Sequence, residues 1–176
     1  MERYGSLLFR FKNEEHKEQA SLMFEIACQS FDVFCKNEKD WFEQFLTVAG
    51  FFGEQVKKIS EDAVTKFPDF YRYFYEHNPI IDNVVWEGDY VVVNLLNNSI
   101  DEWIQLHVPL LQLMGADDIR AVSGCEYGCA FQRLIDNKMV TKIFNFEEDS
   151  EDDFELKNQW FHDDLHGVEP LAYHYL

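Results

Sequence analysis

The residues of this chain that say most about function form an acidic run near its end, and they indicate a class of partner more than a reaction. Between positions 147 and 155, seven of nine residues are acidic, and no base falls between Lys142 and Lys157. Concentrated like charge costs self-repulsion, which solvent or a cationic partner must offset. Aromatic residues beside such a run can anchor a partner. We therefore expect a surface for a basic protein formed by Glu147, Glu148, Asp149, Glu151, Asp152, Asp153, Phe154, Glu155, Trp160 and Phe161.

The distribution of charge indicates what kind of partner this surface would suit. Residues 143–176 contain ten acidic residues and one lysine, whereas residues 1–142 contain 23 acidic and 14 basic residues. Half of the net charge of −18 therefore lies in about a fifth of the chain. Enzymes that act on nucleic acids present Lys and Arg at their substrate clefts, which dense carboxylates could occupy. The pattern favours a small inhibitor that works by occlusion, either an immunity protein against a nuclease-like toxin or a phage antagonist of a nucleic-acid enzyme.

Two histidines after the run offer a different chemistry. In a helix, His162 and His166 would share one side, and Asp163 would supply a third metal ligand. The segment lacks the glutamate that follows the first histidine in the zinc-protease helix, and Gly167 closes it early. The alternative hypotheses are thus a metal-dependent enzyme using this segment, or a structural or oligomeric protein whose acidic loop only aids solubility.

Other catalytic signatures are missing from the sequence. It contains no GxSxG, no P-loop and no GxGxxG after a strand. We therefore expect a binding protein and not an enzyme, with no catalytic residue and no cofactor.

Composition indicates an ordered domain. Aromatic residues make up 16% of the chain, more than a disordered protein would contain. The first residues do not resemble a secretory signal, and no stretch approaches 18 apolar residues. A pI near 4.5 disfavours direct binding to nucleic acid or to anionic lipid. We expect a cytoplasmic protein without direct contact to nucleic acid or membrane, and the sequence leaves its oligomeric state open.

The hydrophobic pattern predicts the elements that must position the acidic run. Alternating apolar residues predict strands over residues 4–12, 81–86, 90–96, 119–124, 127–135 and 139–146. Helical spacing predicts helices after Asn13, over residues 41–59 with a bend at Gly50 and Gly53, and after a capping box at residues 99–102. Pro109 is expected to divide the last of these helices into two pieces.

These elements together predict an α+β fold. We expect an antiparallel sheet, made of a hairpin and a C-terminal meander, with helices packed on one face. The chain is expected to form a single domain over residues 1–176. It can be divided into two β-α-β-like halves, 1–78 and 79–176, the first completed by a strand at 32–36.

Overall fold

Blocks of strands and blocks of helices follow one another along the chain. The computed structural model describes residues 3–28, 37–48, 50–66, 68–72, 80–96, 100–168 and 170. Its strands are β1 Tyr4–Arg10, β2 Ile80–Glu87, β3 Tyr90–Leu96, β4 Asp118–Cys125, β5 Gly128–Ile135 and β6 Lys138–Asn145. Its long helices are α1 Glu14–Cys28, α2 Glu38–Val48, α3 Glu54–Lys66, α4 Ile100–Met114 and α5 Glu151–His162.

The six strands form one antiparallel sheet in the order β2-β3-β1-β4-β5-β6, which confirms the predicted α+β class. Strand β1 lies between β3 and β4, and its Leu7 is paired with Val93 on one side and Ala121 on the other. The N-terminal strand is thus inserted among strands of the C-terminal half, and the two halves share one sheet. The strand expected at 32–36 lies outside the described residues.

Alternation along β1 separates two hydrophobic layers. Leu7 and Phe9 face a core built with α1, α2, α3 and α4, whereas Leu8 faces the opposite side of the sheet. Burying a side chain of this size stabilises the fold by about 1.5–3 kcal/mol. Helices α1 to α4 therefore pack on one face as expected. The other face carries α5, whose Phe161 joins a second core, so the molecule has a helical layer on both sides.

A two-residue turn sets the register of the last hairpin. Asp136 and Asn137 both have positive φ, 50° and 61°, as the favoured hairpin turn requires. The turn pairs Ile135 with Lys138, and the pairing continues without a bulge to Gly128 and Asn145. Strand β6 is therefore a regular edge strand that leads directly into the acidic run.

Helix α4 is continuous across Pro109, so the expected division into two pieces is wrong. Proline removes one backbone donor, which leaves the carbonyl four residues earlier without its helical partner. Pro109 is only half-buried, while the neighbouring Leu110 and Leu111 are fully buried in the core. Packing of these side chains outweighs the local cost. Ser99, the first residue of the predicted capping box, lies outside the described residues.

Candidate partner-binding site

The acidic run begins as a turn and becomes a helix, which sequence reasoning did not anticipate. Ser150 is the N-cap of α5: its hydroxyl accepts a hydrogen bond from the backbone N–H of Asp153, whose carboxylate accepts one from the Ser150 N–H. This capping box satisfies donors that the first turn of a helix leaves free. Glu151, Asp152 and Asp153 occupy that turn, where the helix dipole favours negative charge. The carboxylates are therefore held in a defined arrangement.

Aromatic packing attaches the inner side of α5 to the sheet. The Phe154 ring lies 5.0 Å from that of Phe144 and 5.8 Å from that of Phe131, and the Phe161 ring lies 5.7 Å from that of Phe131. Such aromatic pairs contribute roughly 0.5–1.5 kcal/mol each beyond the area they bury. One side of the helix is thus fixed on β5 and β6, and the opposite side faces solvent.

Two arginines from the sheet hold the C-terminal end of α5. Arg120 is buried and donates to the backbone carbonyls of Phe161 and Asp163, and Arg133 donates to that of Trp160. The last carbonyls of a helix have no partner inside it and carry partial negative charge. The guanidinium groups donate hydrogen bonds to these carbonyls and offset their negative charge. Helix α5 is therefore capped at its N-terminal end and bound to the sheet at its C-terminal end.

Arg120 is neutralised by the half-buried carboxylate of Asp118. Its Nη2 lies 2.9 Å from Oδ2 of Asp118, which also accepts a 2.6 Å hydrogen bond from the Tyr90 hydroxyl. Burial acts to raise the pKa of Asp118, but hydrogen bonds from Arg120 and Tyr90 outweigh it and leave this pKa lowered. Burial and the bond to Asp118 raise the pKa of Tyr90 to about 12. Asp118 is therefore an anion that supports the helix, not a proton donor.

The outer side of α5 and the preceding turn form what we call the acidic face: Glu147, Glu148, Glu151, Asp152 and Glu155. All five side chains are exposed. Within the described part of the chain, no lysine or arginine lies within ion-pair distance of their carboxylates. Five of the seven acids in the run thus keep their charge open to solvent.

The remaining two acids of the run have structural roles. Asp149 lies 2.8 Å from the Lys157 ammonium and accepts a hydrogen bond from the backbone N–H of Asn145. These bonds, from Lys157 first, lower the pKa of Asp149. Asp153 belongs to the capping box, and its bonds to Ser150 lower its pKa. Asp149 and Asp153 therefore bind groups of their own chain, and the acidic face consists of the other five acids.

The aromatic residues expected to anchor a partner are turned inward. Phe161 is 0% exposed, so its predicted role as a partner contact is wrong: it fills the second core. Phe154 and Trp160 are half-buried against the same core. The Trp160 ring is further covered by the Lys142 ammonium, 4.4 Å from its centroid, and by the Arg133 guanidinium at 5.5 Å. These cation–π contacts occupy the face of the Trp160 ring with groups of the same molecule.

Two other apolar side chains are open beside the acidic face. Leu156 is 64% exposed and Phe146 is 43% exposed. Leu156 lies one helical turn after Asp152 and directly follows Glu155, so acids border it on α5. Sequence reasoning missed it because the helix was not recognised. With the helix known, the spacing of Phe154 and Phe161 would have placed Leu156 on the outer side.

The candidate metal ligands of the alternative hypothesis, His162, Asp163 and His166, do not come together on one helix. Helix α5 ends at His162, and Asp163 and Asp164 form a turn before His166. The two histidines therefore do not share a helical face, which corrects that expectation. Asp163 instead lies near Arg133, at 3.6 Å. Over the ranges that the structure describes, no group of three or more His, Cys, Asp or Glu side chains could hold a metal ion.

Comparison with protein-family models, with curated proteins and with solved structures finds no match. Among the helices that the structure describes, each is too short or too polar to cross a lipid bilayer.

Proposed function

We propose that this protein binds a basic partner protein through the acidic face and inhibits it by occlusion. One observation carries the proposal: of five carboxylates without a cationic neighbour among the described residues, three are held on an ordered helix and two in the turn before it, and this helix is capped at one end and fastened by arginines at the other. A solvated, purely solubilising run would not need this fastening. The partner class that fits is a toxin or a nucleic-acid enzyme whose cleft is lined by Lys and Arg.

The charges and the apolar side chain would serve different steps of binding. Electrostatic fields of opposite sign on two proteins can raise their association rate by roughly 10- to 1000-fold. The dissociation rate depends more on the side chains that become buried at the centre of the interface. Leu156, with acids at Asp152 and Glu155, is the exposed anchor of the acidic face. In this arrangement the carboxylates guide the partner's cationic cleft to the helix, and Leu156 enters an apolar recess beside it.

The test uses two variants of equal net charge. The neutralised variant carries Glu147→Gln, Glu148→Gln, Glu151→Gln, Asp152→Asn and Glu155→Gln. The scattered control carries Glu18→Gln, Glu38→Gln, Glu54→Gln, Glu61→Gln and Asp89→Asn, all at exposed positions elsewhere. Basic proteins captured at low salt are identified by mass spectrometry, and their binding kinetics and residual activity are then measured with each variant.

We expect the neutralised variant to associate about 10- to 100-fold more slowly than the wild type, with the scattered control within about threefold. Leu156→Ala should instead speed dissociation, by about tenfold. Inhibition of the captured partner's activity should weaken in parallel. Equal association rates for the neutralised variant and the scattered control would refute the proposal, since net charge alone would then explain binding.

A further inference from the structure

Among the residues that the structure describes, strand β6 leaves one edge of the sheet open. It is the last strand in the order, and within those residues it pairs with β5 alone, over all eight of its residues and without a bulge or proline. Unpaired strand edges present free N–H and C=O groups to other chains, and proteins usually blunt them with bulges, prolines, short strands or charged side chains, especially lysine. Strand β6 carries Lys138 and Lys142 but has no bulge and no proline, so its outer backbone groups stay accessible along the strand.

The hairpin register identifies the open backbone groups. Residues flanking a two-residue turn exchange both hydrogen bonds, so Lys138 points its backbone toward Ile135. Alternation then directs the N–H and C=O groups of Met139, Thr141 and Ile143 outward. In the described part of the chain, none of these six groups has a hydrogen-bond partner.

The same alternation ends where the acidic run begins. The outward N–H of Asn145 donates to the Asp149 carboxylate, and its C=O accepts from the N–H of Asp149. The turn therefore closes the edge at Asn145. The outward backbone groups of Met139, Thr141 and Ile143 stay open. The open edge and the acidic face are continuous along the chain.

The side chains on this edge are also suited to a partner. Met139, Thr141 and Ile143 lie on the sheet face opposite α5 and carry no charge, and Ile143 is 68% exposed. An open cleft of about 290 Å³ on that face is bounded by Ile143, Ala130 and Tyr127 on the side of β6, and by the mutually paired Arg3 and Asp101 on the far side. The two lysines of β6 lie on the α5 side, where Lys142 is drawn over Trp160. The protective charges are thus directed away from this face.

We infer that β6 accepts a β-strand of the basic partner, an inference that rests on the proposed function. Glu147 and Glu148 stand just beyond the open edge, so the incoming strand would carry lysines or arginines at the end that passes them. Its alternate residues facing the cleft would be uncharged. A second copy of this chain fits less well, because each copy carries a net charge of −18.

A synthetic peptide tests this pairing. The probe has three lysines followed by alternating threonine and valine, the order expected for a strand antiparallel to β6, and the control peptide has glutamates in place of the lysines. Binding is followed by amide chemical shifts of the full-length protein. We expect the largest changes at Met139, Thr141 and Ile143, and none with the glutamate peptide.

Two edge variants make the test specific. Thr141→Pro removes an outward donor, which edge strands tolerate, and should weaken peptide binding about tenfold, while Thr141→Val should not. Ile143→Lys adds a repelling charge at an exposed position and should have a similar effect to Thr141→Pro, even if proline disturbs the strand. Unfolding curves report whether each variant remains folded.

The possible results separate the inference from the proposed function. Shifts confined to the acidic face, with unchanged affinity in both edge variants, would overturn strand pairing and leave the acidic docking surface intact. Absence of shifts anywhere would count against both. A concentration-dependent dimer that protects the same three amides without peptide would show that a second copy is the occupant, and would also overturn the inference.

Discussion

At the residue scale, the acidic face depends on Arg120, whose guanidinium holds the C-terminal end of α5. Arg120 stands in a strand predicted only as part of a meander, yet it joins Asp118 to the end of α5. Residue types and spacing can identify exposed charge, because exposure follows from density of charge. They do not identify an arginine whose carbonyl partners lie 41 and 43 residues further along the chain.

Replacing Arg120 should loosen this connection. Arg120→Met leaves the Asp118 carboxylate without its guanidinium and the helix carbonyls without their donor, so we expect a loss of about 3 kcal/mol in the free energy of unfolding. Arg3→Met is the matched control, because its ion pair with Asp101 is nearly 40% exposed on both sides and should contribute under about 1 kcal/mol. Urea unfolding measures both. Similar losses for the two variants would show that Arg120 does not fasten α5.

A buried histidine should make stability depend on pH. His107 is 4% exposed, its ring stacks on Trp103 at 3.9 Å, and its Nδ1 donates to the Trp103 carbonyl. Burial lowers the pKa of His107 to about 4, below its value of about 6.5 in an unfolded chain. The unfolded state then takes up the proton first. The stability that depends on a neutral His107 is therefore fully present above about pH 6.5, and it is lost as the pH falls toward 4.

His107→Phe keeps an aromatic ring and removes this titration. Between pH 7 and pH 4.5 the wild type should lose about 2 kcal/mol more unfolding free energy than the variant. The quantity compared is the change in unfolding free energy between the two pH values, because the contribution of the many carboxylates is the same in both proteins and cancels. Parallel pH profiles would mean that His107 is protonated as readily in the fold as in the unfolded chain.

At the element scale, the sequence predicted strands better than helices. Strand β3 was predicted at its observed bounds, and the other five within two residues at each end, because alternation with flanking turns is a local signal. The position of β1 between β3 and β4 is not local and was not predicted. Helix α5 was missed because the density of charge suggested a solvated loop. Ser150 followed three residues later by Asp153 was the available signal.

The N-cap of α5 can be tested directly. Ser150→Ala removes the hydroxyl that accepts from the Asp153 N–H, and should lower the free energy of unfolding by about 1 kcal/mol. Thr65→Ala is a control, because the Thr65 hydroxyl only donates to a carbonyl one turn earlier in an exposed part of α3. Its effect should be within about 0.5 kcal/mol. Equal effects would indicate that the capping box adds little order to the acidic face.

At the scale of the whole molecule, charge and architecture act together. Helices α1 to α4 build the main core on one side of the sheet, and the acidic run is fixed on the other side by α5. The fold thus presents a concentrated negative field on a rigid support. Scattered charge would give the same net charge of −18 without such a local field.

The most direct test of this account is the salt dependence of binding to the captured basic partner. We measure the dissociation constant from low to physiological salt for the wild type, the neutralised variant and the scattered control. We expect binding to weaken steeply with salt for the wild type and the scattered control, and to depend little on salt for the neutralised variant. A neutralised variant that keeps the wild-type affinity and slope would contradict it.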